Sequence, residues 1–434
     1  MSFLGVIADD LTGAMDAGMQ MLGKGIIKVA LCHDKLDEVI HGSDVVVVNM
    51  QTRNGCAKEA YSKTKNTFCQ LFKKGCNVFY KKIDSTLRGH IGVELKAILD
   101  SELFDCCILA PALPLNRRFT IDGIHYVDNV RLSDTEYAKD PFTPIKSSAI
   151  SDNIREEYNT QIGLIDLKLI RESSLAVCEE IDKLVKSGIK VIIADAVEEC
   201  DLKTIAHGLK LYRGKKVLCG SAGLFKYFDI VYNIKMGDPI SNRNLKGVIE
   251  KNPILAISGS YASMSKKQLE YVAKSGGNIK IFKFDVSSLI DKAISEEWRV
   301  IAEKILFSLE AEDNVVLDFA GLDKETVTAD HINIKDELTL ISKSIAEITY
   351  HVLSNKAFGG LVIFGGDTAF VALTRLGVKG IEILGQIEPY IPYGKLIGGS
   401  FSGMPVVTKA GGFGQETTLF RIFSTLRGED ENGL

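Results

Sequence analysis

The chain of 434 residues is 46% hydrophobic and 25% charged, and its formal net charge is −4. This composition is ordinary for a soluble globular protein, and the length predicts two or three domains, because single hydrophobic cores stop growing well below it. The slight negative charge, without long runs of Lys or Arg, argues against a nucleic-acid partner.

Membrane, secretory and metal-binding patterns are not evident in the sequence. No stretch approaches the roughly 20 apolar residues of a membrane span, and the first residues lack a basic and then apolar signal pattern. The nine cysteines have irregular spacings without a C-x-x-C pair, and the seven histidines show no metal-ligand spacing. We therefore expect a cytoplasmic protein with reduced thiols, no membrane partner, no histidine triad and no transition-metal site.

Strand and helix patterns alternate along the first half of the chain. Apolar runs predict strands at 3–8, 26–31, 44–48, 76–80, 106–110, 189–194 and 215–219. Near-continuous apolar strands separated by helical patterns are typical of a parallel sheet covered on both faces. Between 119 and 150 the pattern breaks into short polar pieces, which predicts an excursion from this sheet.

A second strand–helix series follows a polar segment without clear periodicity, at 231–252, which we interpret as a linker. Strands are predicted at 253–257, 279–284, 314–318, 361–364 and 405–408, with a further short strand near 381. The sequence therefore predicts the α/β fold class: two three-layer α/β domains at 1–230 and 253–434, with mostly parallel sheets and an active-site cleft between them.

The first strand ends in Asp9 and Asp10, which are followed by Leu11, Thr12 and a helical pattern. Ligands of open parallel sheets bind beyond the carboxyl ends of the strands, so these residues are candidates for catalysis and Thr12 for substrate binding. Because side chains alternate along a strand, the two carboxylates are expected to diverge. The alternative is that one aspartate only caps the helix.

The densest polar cluster follows the strand that ends near Tyr80. Its candidate site residues are Lys82, Asp84, Ser85 and Arg88. An arginine can bind a carboxylate through two hydrogen bonds while an aspartate accepts from hydroxyls, so the cluster suits a small hydroxylated acid. The alternative is a helix start capped by Asp84 or Ser85, with the lysines pointing outward.

Two further arginine positions follow predicted strands. Arg53 comes after the third strand, where it is a plausible second anion ligand of the same site. Arg117 and Arg118 lie in a loop shaped by Pro111 and Pro114. For this pair, an exposed turn and a role in binding are equally compatible with the sequence.

Glycine-rich turns mark the second half of the chain. Three of them follow predicted strands, and glycines at strand-to-helix turns let backbone N–H groups approach an anion. None matches the P-loop or the Rossmann fingerprint, but together they predict a nucleotide-phosphate site. The candidate contacts are Ser258, Gly259, Gly365, Gly366, Asp367, Thr368, Gly411 and Gly412. Phosphoryl transfer from ATP to a small acid is the simplest chemistry that needs both halves.

Four segments, at 7–14, 82–89, 365–368 and 409–414, resemble the signature segments of the four-carbon acid sugar kinases. The resemblance covers nearly the whole chain, and the first two segments are its most specific parts. It implies an N-terminal sugar-acid-binding domain, a C-terminal nucleotide-binding domain and ATP contacts at Ser258, 365–368 and Gly411. The implied substrates are tetronates such as threonate, erythronate and 3-oxo-tetronates.

The sequence departs from the family pattern at three positions. His90 stands where an asparagine is usual, Arg117 where a glycine often precedes the arginine, and Tyr390 where a glycine is common. The first two lie near the expected substrate pocket. They therefore bear on which tetronate is preferred rather than on the reaction.

In the resulting hypothesis, Arg88, with Arg53 and Lys82, holds the carboxylate of the acid, and Asp10, Asp84 and Ser85 bind its hydroxyls. Asp9, Asp10 and Asp84 all remain candidates for the base that takes the proton of the attacking hydroxyl. The expected cofactors are ATP and Mg²⁺. Asp367 is a possible Mg²⁺ ligand or a helix cap, and the metal ligands are otherwise unknown.

Two other functions are compatible with these patterns. One is a sensor that binds a sugar acid and a nucleotide without catalysis, and the other is an isomerase or aldolase whose glycine turns are only structural. A homodimer is expected only because metabolic enzymes often form one.

Overall fold

The computed structural model describes residues 3–140, 142–232, 253–260, 262–275, 278–284, 298–308, 313–319 and 334–428. The chain divides into two compact units, Met1–Pro239 and Ile240–Leu434. Residues 233–252 of the predicted linker lie outside the described residues, so the linker and the exact domain boundaries stay a prediction. None of the helices in the described part is long and apolar enough to cross a membrane.

The first unit alternates strands and helices. Its strands are β1 Leu4–Ala8, β2 Ile27–Ala30, β3 Val45–Asn49, β4 Val78–Lys82, β5 Cys106–Ala110, β6 Arg118–Ile121, β7 Ile124–Val127, β8 Val130–Arg131, β9 Ile162–Ile165, β10 Val191–Ala194 and β11 Lys216–Gly220. Its helices are α1 Leu11–Gln20, α2 Leu36–Val39, α3 Ala57–Lys73, α4 Ile91–Leu99, α5 Ile150–Arg155, α6 Leu167–Glu172, α7 Ser174–Lys186, α8 Glu199–Leu211, α9 Ala222–Phe225 and α10 Phe228–Tyr232.

Eight strands of this unit pair in the order β2-β3-β1-β4-β11-β5-β10-β9, and all neighbours are parallel. Every residue of β1, β3, β5 and β10 is buried, which is typical of a parallel sheet with both faces covered. From β1 the chain continues to β2 on one side, whereas from β4 it continues to β5 on the other. The carboxyl ends of β1 and β4 thus form a topological switch point, where such sheets bind ligands.

The predicted excursion contains a three-stranded antiparallel sheet, β6-β7-β8. It is attached near β10, because the amide of Thr120 donates to the Ala196 carbonyl and the amide of Ala196 donates back. The buried Asp195 carboxylate strengthens this attachment by accepting from the amides of Asp122, Gly123 and Leu167. The excursion is thereby fixed to the main sheet.

The second unit repeats the strand–helix alternation. Its strands are β12 Ile254–Ser258, β13 Ile279–Lys283, β14 Asn314–Asp318, β15 Gly360–Phe364, β16 Gly380–Glu388, β17 Ile391–Ile397 and β18 Pro405–Lys409. Its described helices are α11 Ser263–Lys274, α12 Trp298–Ser308, α13 Ile334–Asn355, α14 Gly366–Arg375 and α15 Thr418–Leu426.

The strands of the second unit pair in the order β13-β14-β12-β15-β18-β17-β16. The first five are parallel, and β17 runs antiparallel to both of its neighbours. From β12 the chain continues to β13, and from β15 it continues past β18 to β16, so a second switch point lies between β12 and β15. Two α/β units with mostly parallel sheets confirm the predicted fold class.

Besides shifts of one or two residues in several strand bounds, the excursion contains three strands that were not predicted, and β16 is longer than the short strand expected near 381. β9 and β17 were also not predicted, because β9 is short, contains Gly163 and follows polar Thr160 and Gln161, and because Pro392 and Gly394 interrupt the apolar run of β17. β4 extends to Lys82, two residues beyond the predicted end. The two lysines belong to the strand because both side chains are buried and paired within the protein.

Candidate active site

The first polar cluster lies at the switch point of the first unit. Ala8 of β1 is aligned with Asn49 of β3 and with Lys82 of β4. The residues that follow these three positions therefore leave the sheet side by side. We call the side chains gathered here the N-terminal cluster: Asp9, Asp10, Arg53, Lys82, Asp84, Ser85, Arg88 and Arg118.

Arg53 binds both aspartates that follow β1. Its Nε donates to Oδ2 of Asp9 at 2.8 Å, and its two terminal nitrogens donate to the two oxygens of Asp10 at 2.7 Å. Oδ1 of Asp10 also accepts from the amide of Gly13 at 2.8 Å, which caps α1. Asp10 is therefore both a helix cap and a member of the cluster, so the two alternatives for this position do not exclude each other.

The two neighbouring aspartates have different protonation behaviour. Burial would raise the pKa of Asp9, but attraction to Arg53 and Lys81 lowers it overall. Burial raises the pKa of Asp10, and the adjacent Asp9 charge adds to this effect against the attraction of Arg53. The Asp9 side chain is 1% exposed and that of Asp10 is 13% exposed. Asp10 is thus the more basic and the more accessible carboxylate.

Lys82 belongs to this side of the cluster, and Thr12 lies nearby along the chain, in the first turn of α1. Lys82 is buried, and its Nζ donates to the Ile83 carbonyl at 2.9 Å. A Cβ atom on Gly13 would lie 2.9 Å from this Nζ and 2.7 Å from Oδ1 of Asp10, so a larger residue here would displace one or both of these groups. Thr12 is half-buried in the same turn.

Asp84, Ser85 and Arg88 form the other side of the cluster. Nε of Arg88 donates to Oδ2 of Asp84 at 2.6 Å, and the Thr86 hydroxyl donates to the same oxygen. Burial opposes ionisation of Asp84, but the charges of Arg88 and Arg53 outweigh it and hold its pKa well below the usual range. Asp84 is therefore an anion that binds donors, and a weak base.

The helix that follows this segment, α4, begins at Ile91 with His90 as its N-cap. The alternative in which Asp84 or Ser85 caps a helix is therefore wrong. The outward orientation of Lys81 and Lys82 in that alternative is also wrong, since both are buried. The polar residues at 84–88 instead form an irregular segment that closes on itself through hydrogen bonds.

The excursion contributes residues to the N-terminal cluster. The sequence left the role of one of them open, and the others were not predicted. Arg118 of β6 donates to the Ser85 hydroxyl, whereas Arg117 is 67% exposed and pairs with Asp128. Asp140 accepts from Arg88 at 3.2 Å. The Tyr137 ring lies between the two arginines, 5.2 Å from the Arg88 guanidinium and 6.0 Å from that of Arg118. Of the two adjacent arginines, only Arg118 belongs to the cluster.

A buried ion pair lies beneath the N-terminal cluster, next to Lys82 on β4. Nζ of Lys81 lies 2.9 Å from Oε2 of Glu94, which is on α4, and the Thr52 hydroxyl donates to the same carboxylate. Both charged side chains are at most 1% exposed. This pair could not be predicted from the sequence, because its partners are separated along the chain and only the fold brings them together.

Asp16 is a further carboxyl group that the sequence did not single out. It lies one helical turn after Thr12 on α1, and burial raises its pKa to about 7 against the attraction of Lys82. The sequence could have indicated Asp16, because it follows Thr12 by four residues and residues at this spacing share one face of a helix.

The second polar centre consists of three loops at the switch point of the second unit, which we call the C-terminal loops: 258–260, 365–368 and 410–415. Phe364 of β15 is aligned with Ser258 of β12 and with Lys409 of β18, so the three loops leave adjacent parallel strands together. The predicted nucleotide residues Ser258, Gly259, Gly365, Gly366, Asp367, Thr368, Gly411 and Gly412 all lie in these loops.

The C-terminal loops approach one another closely. A Cβ atom on Gly259 would collide with the Thr368 hydroxyl, and one on Gly411 would collide with the Ser260 hydroxyl. Gly365 has φ 100°, a conformation that side chains other than glycine rarely adopt, and it immediately precedes α14. The loops therefore need these glycines, and they place the open N-terminus of α14 at the switch point.

Lys409 lies beneath the third loop. It is 2% exposed, and its Nζ lies 4.7 Å from the centre of the Phe364 ring. Burial lowers the pKa of the Lys409 ammonium to about 8, against the attraction of the Glu388 carboxylate. The centre thus combines backbone amides, a helix N-terminus and a buried cation, which are the groups that bind phosphate.

Metal ligands are not concentrated at either centre. Within the described ranges, no three His, Cys, Asp or Glu side chains are grouped so as to hold a metal ion. Asp367 lies in the first turn of α14, and its assignment as a metal ligand stays a prediction.

Comparison with known protein families agrees with the division into two units. A family described as the sugar-binding N-terminal domain matches residues 4–228, and one described as the nucleotide-binding C-terminal domain matches 255–419. Solved chains from Salmonella typhimurium LT2 and Haemophilus influenzae share the fold, with TM-scores of 0.80 and 0.72 at 21% and 22% identity. They cover 97% and 98% of this chain, and each is itself covered to 99%.

Curated relatives match over nearly the full length. The D-erythronate kinase of Heliobacterium modesticaldum is 30% identical over 95% of this chain and 94% of its own. The D-threonate kinase of Salmonella typhimurium is 28% identical over 95% of this chain and 96% of its own. The 3-oxo-tetronate kinase of Brucella melitensis is 27% identical, covering 96% and 94%. The chain therefore belongs to the four-carbon acid sugar kinase family.

Proposed function

We propose that the protein transfers the γ-phosphoryl group of ATP to the terminal hydroxyl of a four-carbon sugar acid and produces its 4-phosphate. The observation that carries this proposal is the pairing of two kinds of centre in one chain of this kinase family. The N-terminal cluster combines cations with carboxylates, as a hydroxylated acid requires, and the C-terminal loops offer the groups that bind phosphates.

The N-terminal cluster supplies contacts for each part of the acid. Arg88 ends the segment at 84–88, Arg118 binds Ser85 within it, and with Lys82 the two arginines provide positive charge for the substrate carboxylate. Asp84, which stays ionised, accepts from substrate hydroxyls, and Ser85 and Thr12 add hydroxyl contacts. Arg53 differs from the sequence-based hypothesis, because its guanidinium already binds Asp9 and Asp10. Its proposed role is to hold these two carboxylates in place.

Asp10 is the proposed base. The terminal hydroxyl oxygen forms a bond to the γ-phosphorus while the bond from this phosphorus to the bridging oxygen of ADP breaks, and the hydroxyl proton passes to the Asp10 carboxylate. Its raised pKa distinguishes Asp10 from both Asp9 and Asp84, whose pKa values are lowered, and its exposure distinguishes it from Asp9. Asp9, which is nearly inaccessible, positions Arg53.

The C-terminal loops are the proposed site for the phosphates of ATP. The amides of the glycine turns and the N-terminus of α14 donate to phosphate oxygens, so the residues at Ser258, Gly365–Thr368 and Gly411 keep their predicted role. Mg²⁺, when bound with the nucleotide, neutralises charge on the phosphates. Such use of ATP suits the predicted cytoplasmic location, and a homodimer remains a prediction.

The experiment that tests this function measures ADP release from ATP and Mg²⁺ with a panel of acids. The panel contains both enantiomers of threonate and erythronate and the 3-oxo-tetronates, with erythritol as a matched compound that lacks the carboxylate. We expect ADP release with at least one acid and none with erythritol. Binding of acid and nucleotide without ADP release would favour a sensor, and conversion of an acid without ATP would favour an isomerase or aldolase.

A further inference from the structure

The loop at 410–415 is organised by its carbonyl groups. Nζ of Lys409 donates to the carbonyls of Ala410 at 3.0 Å, Gly411 at 3.1 Å and Phe413 at 2.8 Å. An ammonium group has three N–H donors, so one buried side chain directs all of them to three carbonyls of a single loop.

Two side chains of α11 bind the same carbonyl side of the loop. The Ser265 hydroxyl donates to the Gly411 carbonyl at 2.9 Å. Nε2 of Gln268 donates to the carbonyls of Phe413 at 3.1 Å and Gln415 at 2.8 Å. Ser265 and Gln268 are fully buried. Four of the six carbonyls at 410–415 are therefore held on the inner side of the loop.

The amide groups of the loop are left for another partner. Among the residues that the structure describes, the amides of Gly411, Gly412 and Gly414 donate to no acceptor, whereas the Phe413 amide bonds to the Ala410 carbonyl. Successive backbone amides without internal partners form a concave donor surface that binds anions. Because the carbonyls are bound on the inner side of the loop, they are not available as acceptors for these amides.

The Lys409 charge is unusual for its position. It is buried, and within the described part of the chain it forms no direct ion pair, so its desolvation is offset by carbonyl dipoles, the Phe364 ring and the more distant charge of Glu388. An anion bound on the outer side of the loop would compensate this charge. The arrangement thus favours a phosphate over a neutral ligand.

We infer that Lys409 and Gln268 are positioning residues of the nucleotide-phosphate site, which hold the loop at 410–415 by its carbonyls so that its amides face the phosphates of ATP. The inference rests on the proposed function, since it assigns residues to the same nucleotide site. Neither side chain donates to the nucleotide itself. Their effect on activity therefore passes through the loop.

The test compares three variants of the full-length protein by calorimetric titration with ATP and Mg²⁺ and by steady-state kinetics. Lys409→Met keeps the length of the side chain without its charge and donors, Lys409→Arg restores both, and Gln268→Met removes the second set of donors. Lys267→Met is the matched control, because Lys267 is exposed on α11 and pairs only with Glu416 among the described residues.

We expect Lys409→Met to weaken ATP binding and to raise the KM for ATP by at least about tenfold, which corresponds to about 1.4 kcal/mol. The KM for the acid and the Tm should change little, because a buried unpaired charge is removed at the same time. Lys409→Arg should recover most of the affinity, Gln268→Met should weaken ATP binding in the same direction, and Lys267→Met should match the wild type.

Two results would overturn this inference without contradicting the proposed function. One is an unchanged ATP affinity in Lys409→Met, and the other is an equal rise of the KM for ATP and the KM for the acid together with a lowered Tm. If Lys409→Met does not fold, unchanged ATP affinity in Gln268→Met has the same meaning. A wild-type protein that binds no adenine nucleotide would instead contradict the proposed function itself. Because the titration needs no turnover, the two failures are distinguishable.

Discussion

Asp9 and Asp10 are adjacent in sequence, bind the same arginine and nevertheless differ chemically. Side chains alternate at a strand end, so Asp9 points into the protein, where its Oδ1 is buried without a partner among the described residues. Asp10 begins α1 and keeps a partly exposed carboxylate. Of these two adjacent residues, Asp9 is therefore the positioning group and Asp10 the proposed base.

Asp10→Asn tests this assignment and keeps the helix cap, although it loses one of the two hydrogen bonds from Arg53. Asparagine caps helices as well as aspartate does, so the hydrogen bond from the Gly13 amide should persist while the base is lost. We expect kcat to fall by about 100-fold or more with a change in the KM for the acid of at most a fewfold. Steady-state kinetics against the best acid of the panel measures both. Near wild-type kcat would assign the base to another residue.

At the residue scale, the sequence predicted which residues gather but not how they pair. Asp9, Asp10, Arg53, Lys82, Asp84, Ser85 and Arg88 follow three strands, and strand ends of one parallel sheet meet at one edge. The pairing of Arg53 with two aspartates depends on loop conformations that no local pattern encodes. The buried pair of Lys81 and Glu94 was missed for the same reason, since its partners meet only in the folded chain.

At the scale of elements, the N-terminus of α4 is held to two other segments through one side chain. Nδ1 of His90 lies 2.6 Å from Oε1 of Glu157, which follows α5, and its Nε2 lies 2.8 Å from the Gly55 carbonyl. Gly55 is two residues from Arg53. His90, which departs from the family pattern, thus connects α4 to the loop that carries the central arginine of the cluster.

This connection predicts a pH-dependent stability. The hydrogen bond to Glu157, with that to the Gly55 carbonyl, raises the pKa of His90 to about 9 from a usual value of 6.5. A pKa raised by folding adds stability that is fully present below pH 6.5 and is lost as the pH rises through about 9. We expect His90→Gln to be less stable than the wild type by about 1–2 kcal/mol at pH 6 and by much less at pH 10.

Denaturant unfolding of both proteins across this pH range measures the difference. His207→Gln, at an exposed position on α8, is the control and should follow the wild type throughout. A stability difference between His90→Gln and the wild type that does not change with pH would show that the charge of His90 is not involved.

The elements themselves were predicted best where the apolar pattern is continuous. β5 and β14 were predicted with their exact bounds, because both are fully buried and apolar apart from Asn314 and Asp318 at the ends of β14. β17 was missed because a proline and a glycine interrupt its pattern. The strand accommodates Pro392 because this residue lies near its start, beside a register shift with β16 and outside the pairing with β18. Local sequence thus identifies strands that are buried on both faces more readily than strands stabilised by their neighbours.

At the scale of the whole molecule, the two units use the same principle for different ligands. Each has a mostly parallel sheet in which the order of strand addition reverses at one point, and each places its polar residues at that point. The first unit gathers charged side chains there, and the second gathers glycine turns. The difference in residue type, rather than in fold, is what assigns an acid to one unit and phosphates to the other.

The central claim, phosphorylation of a four-carbon sugar acid at its terminal hydroxyl, is tested most directly by the structure of the product. The protein is incubated with ATP, Mg²⁺ and the most active acid, and the product is examined by phosphorus–proton correlation NMR. The account predicts a phosphate ester whose phosphorus couples to the two protons of the terminal carbon, formed in amounts equal to the ADP released. Release of inorganic phosphate without an ester, or an ester at another carbon, would contradict it.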